Sequence, residues 1–264
     1  MDLTNITKED LLCDWPEEID LGGKDVEWEL AQIEEQIAKA ESLLFLPYKP
    51  ATVEPSKHKP PKKTPLPVHE RTILDLCGGT GAWSKPYRDA GYDVRVITFP
   101  DHDVFTYQPP DNVYGILAAP TCTHFSLART TAKTPRDLRG GFQLVKRCLE
   151  IIWEARFNGT LTFWALENPL GYLRQLLGLP PLTFQPCDYG DPYTKRTDLW
   201  GYFKMPRQRP VKLTEEQKQL CAMNNRPLPE IPDGYKLPPD IPRHAVRRAI
   251  TSPAFAQAFF RANP

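Results

Sequence analysis

The sequence predicts an α/β fold: a mostly parallel sheet with helices on both faces. Three observations carry it. From Arg71 onward, short apolar runs alternate with helical patterns, as crossovers between parallel strands require. The first run leads straight into the glycine-rich turn CGGTGAW, which lets backbone bend tightly where a helix begins. Unusual polar residues fall just past the strand ends, where open parallel sheets bind ligands.

Residues 26–46, VEWELAQIEEQIAKAESLLFL, set Val26, Leu30, Ile33, Ile37 and Leu44 at helical spacing with Glu and Lys between. This predicts an amphipathic helix in an N-terminal arm, residues 1–46, able to pack on the main domain or on another copy of the chain. Residues 47–67 hold seven prolines and predict an extended linker. Its Lys57, Lys59, Lys62 and Lys63 form a basic cluster, either simply solvated or touching a phosphate backbone. The main domain is expected over 68–264. TILDL reads as its first strand, KPYRDAG as a helix, and YDVRVIT, VYGILAA and LTFWALE as the next three strands. Between the last two strands, Leu144, Val145, Cys148, Leu149 and Ile152 give a helix from about Arg136 to Arg156 its apolar face. Residues 188–201 read as turns and 202–242 as a proline-rich, loop-like insert. HAVRRAITSPAFAQAFFRA ends the chain in an Ala/Phe-rich helix.

Composition narrows the function class. The 264 residues are 41% hydrophobic and 25% charged, as in ordinary soluble domains. Lys+Arg and Asp+Glu are both 33, so a polyanionic partner would have to be held by a local patch. The longest apolar runs, such as Leu43–Pro47 and Leu161–Leu166, are far short of the ~20 residues of a membrane span, and the acidic N-terminus is not a secretory signal. The six cysteines show no C-x-x-C pair, so neither a metal site nor a disulfide framework is expected, and reduced thiols fit a cytoplasmic location.

Four stretches hold the candidate chemistry. In Asp75-Leu-Cys-Gly-Gly-Thr-Gly-Ala-Trp-Ser84 the glycines allow close approach to a nucleoside cofactor, but G-x-G-x-x-G is absent and the second strand ends in Thr98 rather than an acid. That argues against a dinucleotide and leaves an adenosine cofactor without a pyrophosphate. In APTCTHFS, Cys122 is either core packing or a nucleophile. Glu167-Asn168-Pro169 puts a carboxylate at the fourth strand's end, with Asn168 free to cap a following helix. Finally, YGDPYTKRT presents Lys195 and Arg196.

In this order the stretches resemble the DNA cytosine-5 methyltransferase family. DLCGGTGAWS is similar to its D-L-F-C-G-x-G-G-x-S, and AGY at 90–92 to the A-G-F beyond it. TCTHFS resembles P-C-Q-x-F-S, with Pro120 one place upstream; ENP resembles E-N-V, and YGDPYTKRT resembles Y-G-x-P-Q-x-R-x-R. ITSPAFAQAFF is loosely similar to the terminal motif. The compact layout looks most like methyltransferase-like proteins of phages and prophages.

The resemblance implies a Rossmann-like, S-adenosylmethionine-dependent methyltransferase that acts on cytosine in DNA, flipped out or single-stranded, in a bacterial cell or phage-infected host. Cys122 would add to C6, Glu167 would hold or protonate N3, and Lys195 and Arg196 would steady O2 or a phosphate. Asp75, Leu76, Cys77, Gly79, Gly81, Thr98, Asp103 and Pro120 would line the cofactor pocket. Ser126, Lys195, Arg196, Lys62 and Lys63 would meet nucleic acid. Lys195 and Thr197 stand at the family's arginine places, Thr121 and Thr123 flank the cysteine, and about 40 residues replace a full target-recognition domain. RNA cytosine or a non-methyl group as alternative chemistry, and a non-catalytic binding protein, remain open at this point.

Overall fold

The computed structural model describes residues 66–129, 134–223, 225–237 and 241–264. All lie in a compact unit spanning Thr64–Pro264. The N-terminal arm with its expected self-association surface, and residues 47–65 of the linker with Lys62 and Lys63, lie outside the described residues.

Six strands form one sheet: β1 (Thr72–Leu76), β2 (Asp93–Ile97), β3 (Val113–Ala118), β4 (Phe163–Pro169), β5 (Leu182–Phe184) and β6 (Thr197–Tyr202). Their order is β2-β1-β3-β4-β6-β5. β1 pairs in parallel with both β2 and β3, and β3 with β4; β6 runs antiparallel to β4 and to β5. β1 is buried along its whole length, as its unbroken apolar reading requires of a central parallel strand. From β1 the chain steps to one side for β2 and then to the other for β3. The crevice between the carboxyl ends of β1 and β3 is therefore the switch point at which such sheets bind ligands.

Helices cover both faces. α1 (Lys85–Asp89) follows the glycine turn, α2 (Leu138–Phe157) joins β3 to β4, and α3 (Leu173–Leu177) follows β4. α4 (Glu215–Ala222), α5 (Arg243–Ala249) and α6 (Pro253–Ala262) come after β6. On one face Leu74, Leu76, Ile116 and Ala118 pack against Val145, Cys148, Ile151, Ile152 and Ala155 of α2. On the other, Ile73, Leu117, Phe163 and Ala165 meet Trp83, Tyr87, Phe255 and Phe259. The alternation of Ile73 against Leu74 and Leu76 is the period of two that sends neighbouring strand residues to opposite layers. Phe255 anchors the second layer by stacking on Phe184 with ring centroids 4.0 Å apart.

Two stretches differ from the sequence expectation. Residues 188–201 are not turn throughout, because β6 begins at Thr197. The insert at 202–242 carries α4, whose start is set by a capping box in which Thr214 and Gln217 each satisfy the other's backbone N–H.

Candidate active site

The antiparallel course of β6 assembles the site. Its first residues lie beside the last residues of β4, with Asn168 opposite Asp198 and Pro169 opposite Thr197. Lys195, two residues before β6, consequently reaches back to Glu167, Nζ to Oε1 3.6 Å, in a partly buried ion pair. Cys122 follows β3, the next strand over. Its O accepts from the N–H groups of Phe125 (3.0 Å) and Ser126 (2.9 Å), so the chain wraps into a single turn behind the thiol. Asn168 caps no helix; it is fully buried and its Nδ2 donates to Pro120 O at 2.9 Å, tying the ends of β3 and β4 together.

The thiol of Cys122 is half-buried, and burial holds its pKa above the ordinary value of 9.0. Lys195 and Arg248 pull it down and Glu167 pushes it up, so all three charged groups act on one sulfur. Burial prevails, and at neutral pH the resting group is a thiol. Arg196 stands apart: it is exposed, and its backbone O accepts from Leu170 N at 3.0 Å.

Two contributors, Arg226 and Arg248, lie outside the sequence motifs, and a third, Tyr193, lies inside YGDPYTKRT without being singled out there. Arg226, from the insert, donates from Nη1 to Thr194 O at 2.6 Å, directly behind Lys195. Arg248 belongs to α5. Tyr193 is buried, and burial, Asp191 and Glu167 raise its phenol well above the usual range against the pull of Arg226. The 191–195 segment is held against the start of α6 by Asp191, which accepts from Ser252 Oγ and from Ala254 N at 3.2 Å. No local pattern marks Arg226 or Arg248, because each reaches the site only through the tertiary fold.

The glycine turn follows the carboxyl end of β1, whose Leu76 pairs with Ala118 at the end of β3, the strand that leads to Cys122. Cys77, Gly79 and Gly81 all take left-handed backbone, with φ of 56°, 54° and 69°. No atom lies within 4 Å of the place a side chain on Gly79 would occupy, which leaves its backbone open to a ligand. At Gly78, by contrast, a Cβ would stand 2.4 Å from the carboxyl carbon of Asp75, so the turn closes over that side chain.

Asp75 is therefore fully enclosed beneath the turn and accepts from Ser84 Oγ at 2.5 Å. Leu76 points into the core, and Cys77 Sγ sits 4.0 Å from Cys148 Sγ. Thr98 is half-exposed just past β2. Asp103 is exposed and its Oδ1 accepts from Phe105 N at 2.9 Å, while Pro120 is buried. Ser126 is buried, its Oγ accepting from Ala128 N at 3.2 Å.

Burial raises the Asp75 carboxyl from 3.8 to about 6, against the hydrogen bond from Ser84 and the charge of Arg88. A carboxyl raised in the folded state favours the protonated fold. Its contribution is complete below about 3.8 and is lost as pH climbs through about 6. That rise corresponds to about 3 kcal/mol. Asp75→Asn, which keeps an acceptor for Ser84 and cannot ionise, is expected to lack this loss. Urea unfolding near pH 4 and near pH 7 will show wild type falling behind the variant by that order; parallel behaviour would exclude an elevated Asp75.

No model of a known protein family matches the chain, and no curated protein matches it in sequence. Among the described residues no helix is long and apolar enough to cross a membrane, and no group of three or more His, Cys, Asp or Glu is placed to hold a metal ion.

Proposed function

We propose that the chain is an S-adenosylmethionine-dependent cytosine-5 methyltransferase of Rossmann-like fold acting on DNA, with Cys122 as nucleophile. The observation that carries this reading is the convergence of Cys122, Glu167 and Lys195 from three separate segments, with the strand that leads to Cys122 paired to the strand that leads to the glycine turn. Core packing alone would not surround one thiol with a carboxylate and two cations.

The turn suits the cofactor on its own geometry, since Gly79 offers half-buried left-handed backbone where a Cβ would meet open space. Gly79, Gly81 and Thr98 would hold it, with Asp103 beyond β2. Bound there, S-adenosylmethionine supplies the electrophilic methyl group that cytosine C5 takes.

The chain's own residues prepare the ring. The thiolate of Cys122 forms the S–C6 bond, and the displaced electron pair makes C5 nucleophilic while charge collects toward N3. Glu167 holds a proton at N3, and Lys195 stabilises the thiolate before attack and the ring oxygen after it. Loss of the C5 proton to water then re-forms the C5–C6 double bond, expels the sulfur and restores the thiolate. Because the resting thiol is protonated, it must give up its proton, to water, as the arriving base is attacked.

DNA containing 5-fluorocytosine tests the reading, since fluorine at C5 blocks the last step and traps the adduct. Wild type with labelled cofactor is expected to give a covalent, labelled complex, and Cys122→Ala none. An unlabelled or absent complex with wild type would falsify the assignment, and adduct with RNA in place of DNA would move it to that substrate.

A further inference from the structure

Arg136 was expected to open the long helix, but the helix begins at Leu138, with Asp137 as its cap accepting from Gly140 N at 2.8 Å. Arg136 is left outside and turns back onto the loop that carries the thiol. Its Nη1 donates to His124 O at 2.9 Å, and its Nη2 donates to Ser126 O at 2.9 Å and Arg129 O at 3.2 Å. We infer that Arg136 is a positioning residue for Cys122, its guanidinium gathering three carbonyls of the loop and thereby fixing where the thiol stands. The inference rests on Cys122 being the nucleophile.

Three carbonyl oxygens aimed at one point repel one another, and only a cation with several planar donors satisfies them together. An ammonium has the charge but lacks the fork. The guanidinium is itself held in place, lying 5.1 Å from the centre of the Tyr172 ring. Tyr172 N donates to Phe125 O at 2.9 Å, and Asp137 N donates to His124 Nδ1 at 2.9 Å. Phe125 is fully buried, and a Cβ on Gly171 would come within 2.1 Å of Phe125 O, so the loop is gripped from both sides. The turn formed by Phe125 N and Ser126 N on Cys122 O passes that fixed geometry to the cysteine backbone. Arg136 is not among the charges that bear on the thiol, unlike Lys195 and Arg248, so it acts by placement.

The test uses the full chain as wild type, Arg136→Lys and Arg136→Ala, each with and without millimolar free guanidinium. Two rates are followed: adduct formation on 5-fluorocytosine DNA, and iodoacetamide alkylation of the Cys122 peptide against pH by mass spectrometry. Misplacement of a reacting atom by about 1 Å costs about 100-fold, so adduct formation in Arg136→Ala is expected to fall by about that factor. Arg136→Lys is expected to fall by roughly 10-fold or more, because the fork is lost although the charge stays. Guanidinium should recover part of the Ala variant's rate and leave wild type unchanged. In alkylation, the plateau at high pH should change while the midpoint stays put.

Wild-type adduct rates in Arg136→Lys overturn the inference. So does a moved midpoint with an unchanged plateau, which would make Arg136 a charge acting on the sulfur. If wild type forms no adduct at all, the proposed function fails, and the alkylation plateau with its guanidinium rescue still decides the role of Arg136. If Arg136→Ala loses its circular-dichroism signal, the Lys variant decides.

Discussion

Glu167→Gln is expected to speed alkylation of Cys122 while nearly abolishing methyl transfer. The two effects have opposite signs because the carboxylate does two things. Its charge raises the pKa of the neighbouring thiol, so its removal lowers that pKa and enlarges the thiolate fraction at any pH below it. Alkylation below that pKa is therefore expected to be faster than in wild type. Transfer, however, needs a proton held at N3 as charge develops there, and loss of such a group costs about 10²- to 10³-fold. Lys195→Met should slow both reactions, since Lys195 favours the thiolate. Mass spectrometry of the Cys122 peptide and label transfer to DNA read the two rates separately. Slower alkylation in Glu167→Gln would remove Glu167 from the neighbourhood of the thiol, and unimpaired transfer would remove it from the reaction.

The sheet and the site were not equally legible in the sequence. β1, β3 and β4 stand out as largely apolar runs bounded by glycine, proline or polar residues, as strands inside a sheet covered on both faces read, whereas β2, at the sheet edge, shows instead the alternation of Asp93-Val-Arg-Val-Ile97. β5 is only three residues long, too short to show any period. β6 hides behind Gly201, which reads as a turn. In the fold that glycine has φ 146°, and a Cβ on it would meet Trp164 O at 2.2 Å, so it is a close approach of β6 to β4. α4 carried a visible signal in Thr214-x-x-Gln217, masked by the prolines on either side.

Within the site, Cys122 and Glu167 were marked by their places at strand ends and Lys195 by the turn-rich YGDPYTKRT stretch, and the fold brings the three together. Arg196, adjacent to Lys195 and equally cationic, faces solvent instead. Neighbours in sequence point to different sides of an extended segment, and nothing in the residue types chooses between them. Arg136, Arg226 and Arg248 lack any local mark, since each acquires its partners across the fold.

The largest stability effect is expected at Arg174, whose pairing with Asp198 locks α3 to the sheet next to the site. Arg174 Nε and Nη2 donate to the two carboxylate oxygens of Asp198, each at 2.6 Å, and Nη2 also donates to Thr183 Oγ1 at 2.9 Å. Asp198 has no exposed surface, so truncating Arg174 strands a buried charge for which, among the described residues, Thr183 Oγ1 at 2.8 Å is the one side-chain donor left. Breaking one side of such a pair costs about 3–5 kcal/mol, a large share of the roughly 5–15 kcal/mol that holds a domain together. Arg174→Ala should lower the urea midpoint accordingly. Arg174→Met with Asp198→Leu, which removes both charges and retains apolar volume, should recover much of the loss. A deficit below about 1 kcal/mol in the single variant would mean that the pair is screened like a surface bridge. The effect should extend to chemistry as well, because Asp198 stands opposite Asn168 in the β4–β6 register and three residues from Lys195. If β6 slips when its buried charge is abandoned, Lys195 leaves Glu167, and alkylation of Cys122 in Arg174→Ala should slow even in the fraction that remains folded.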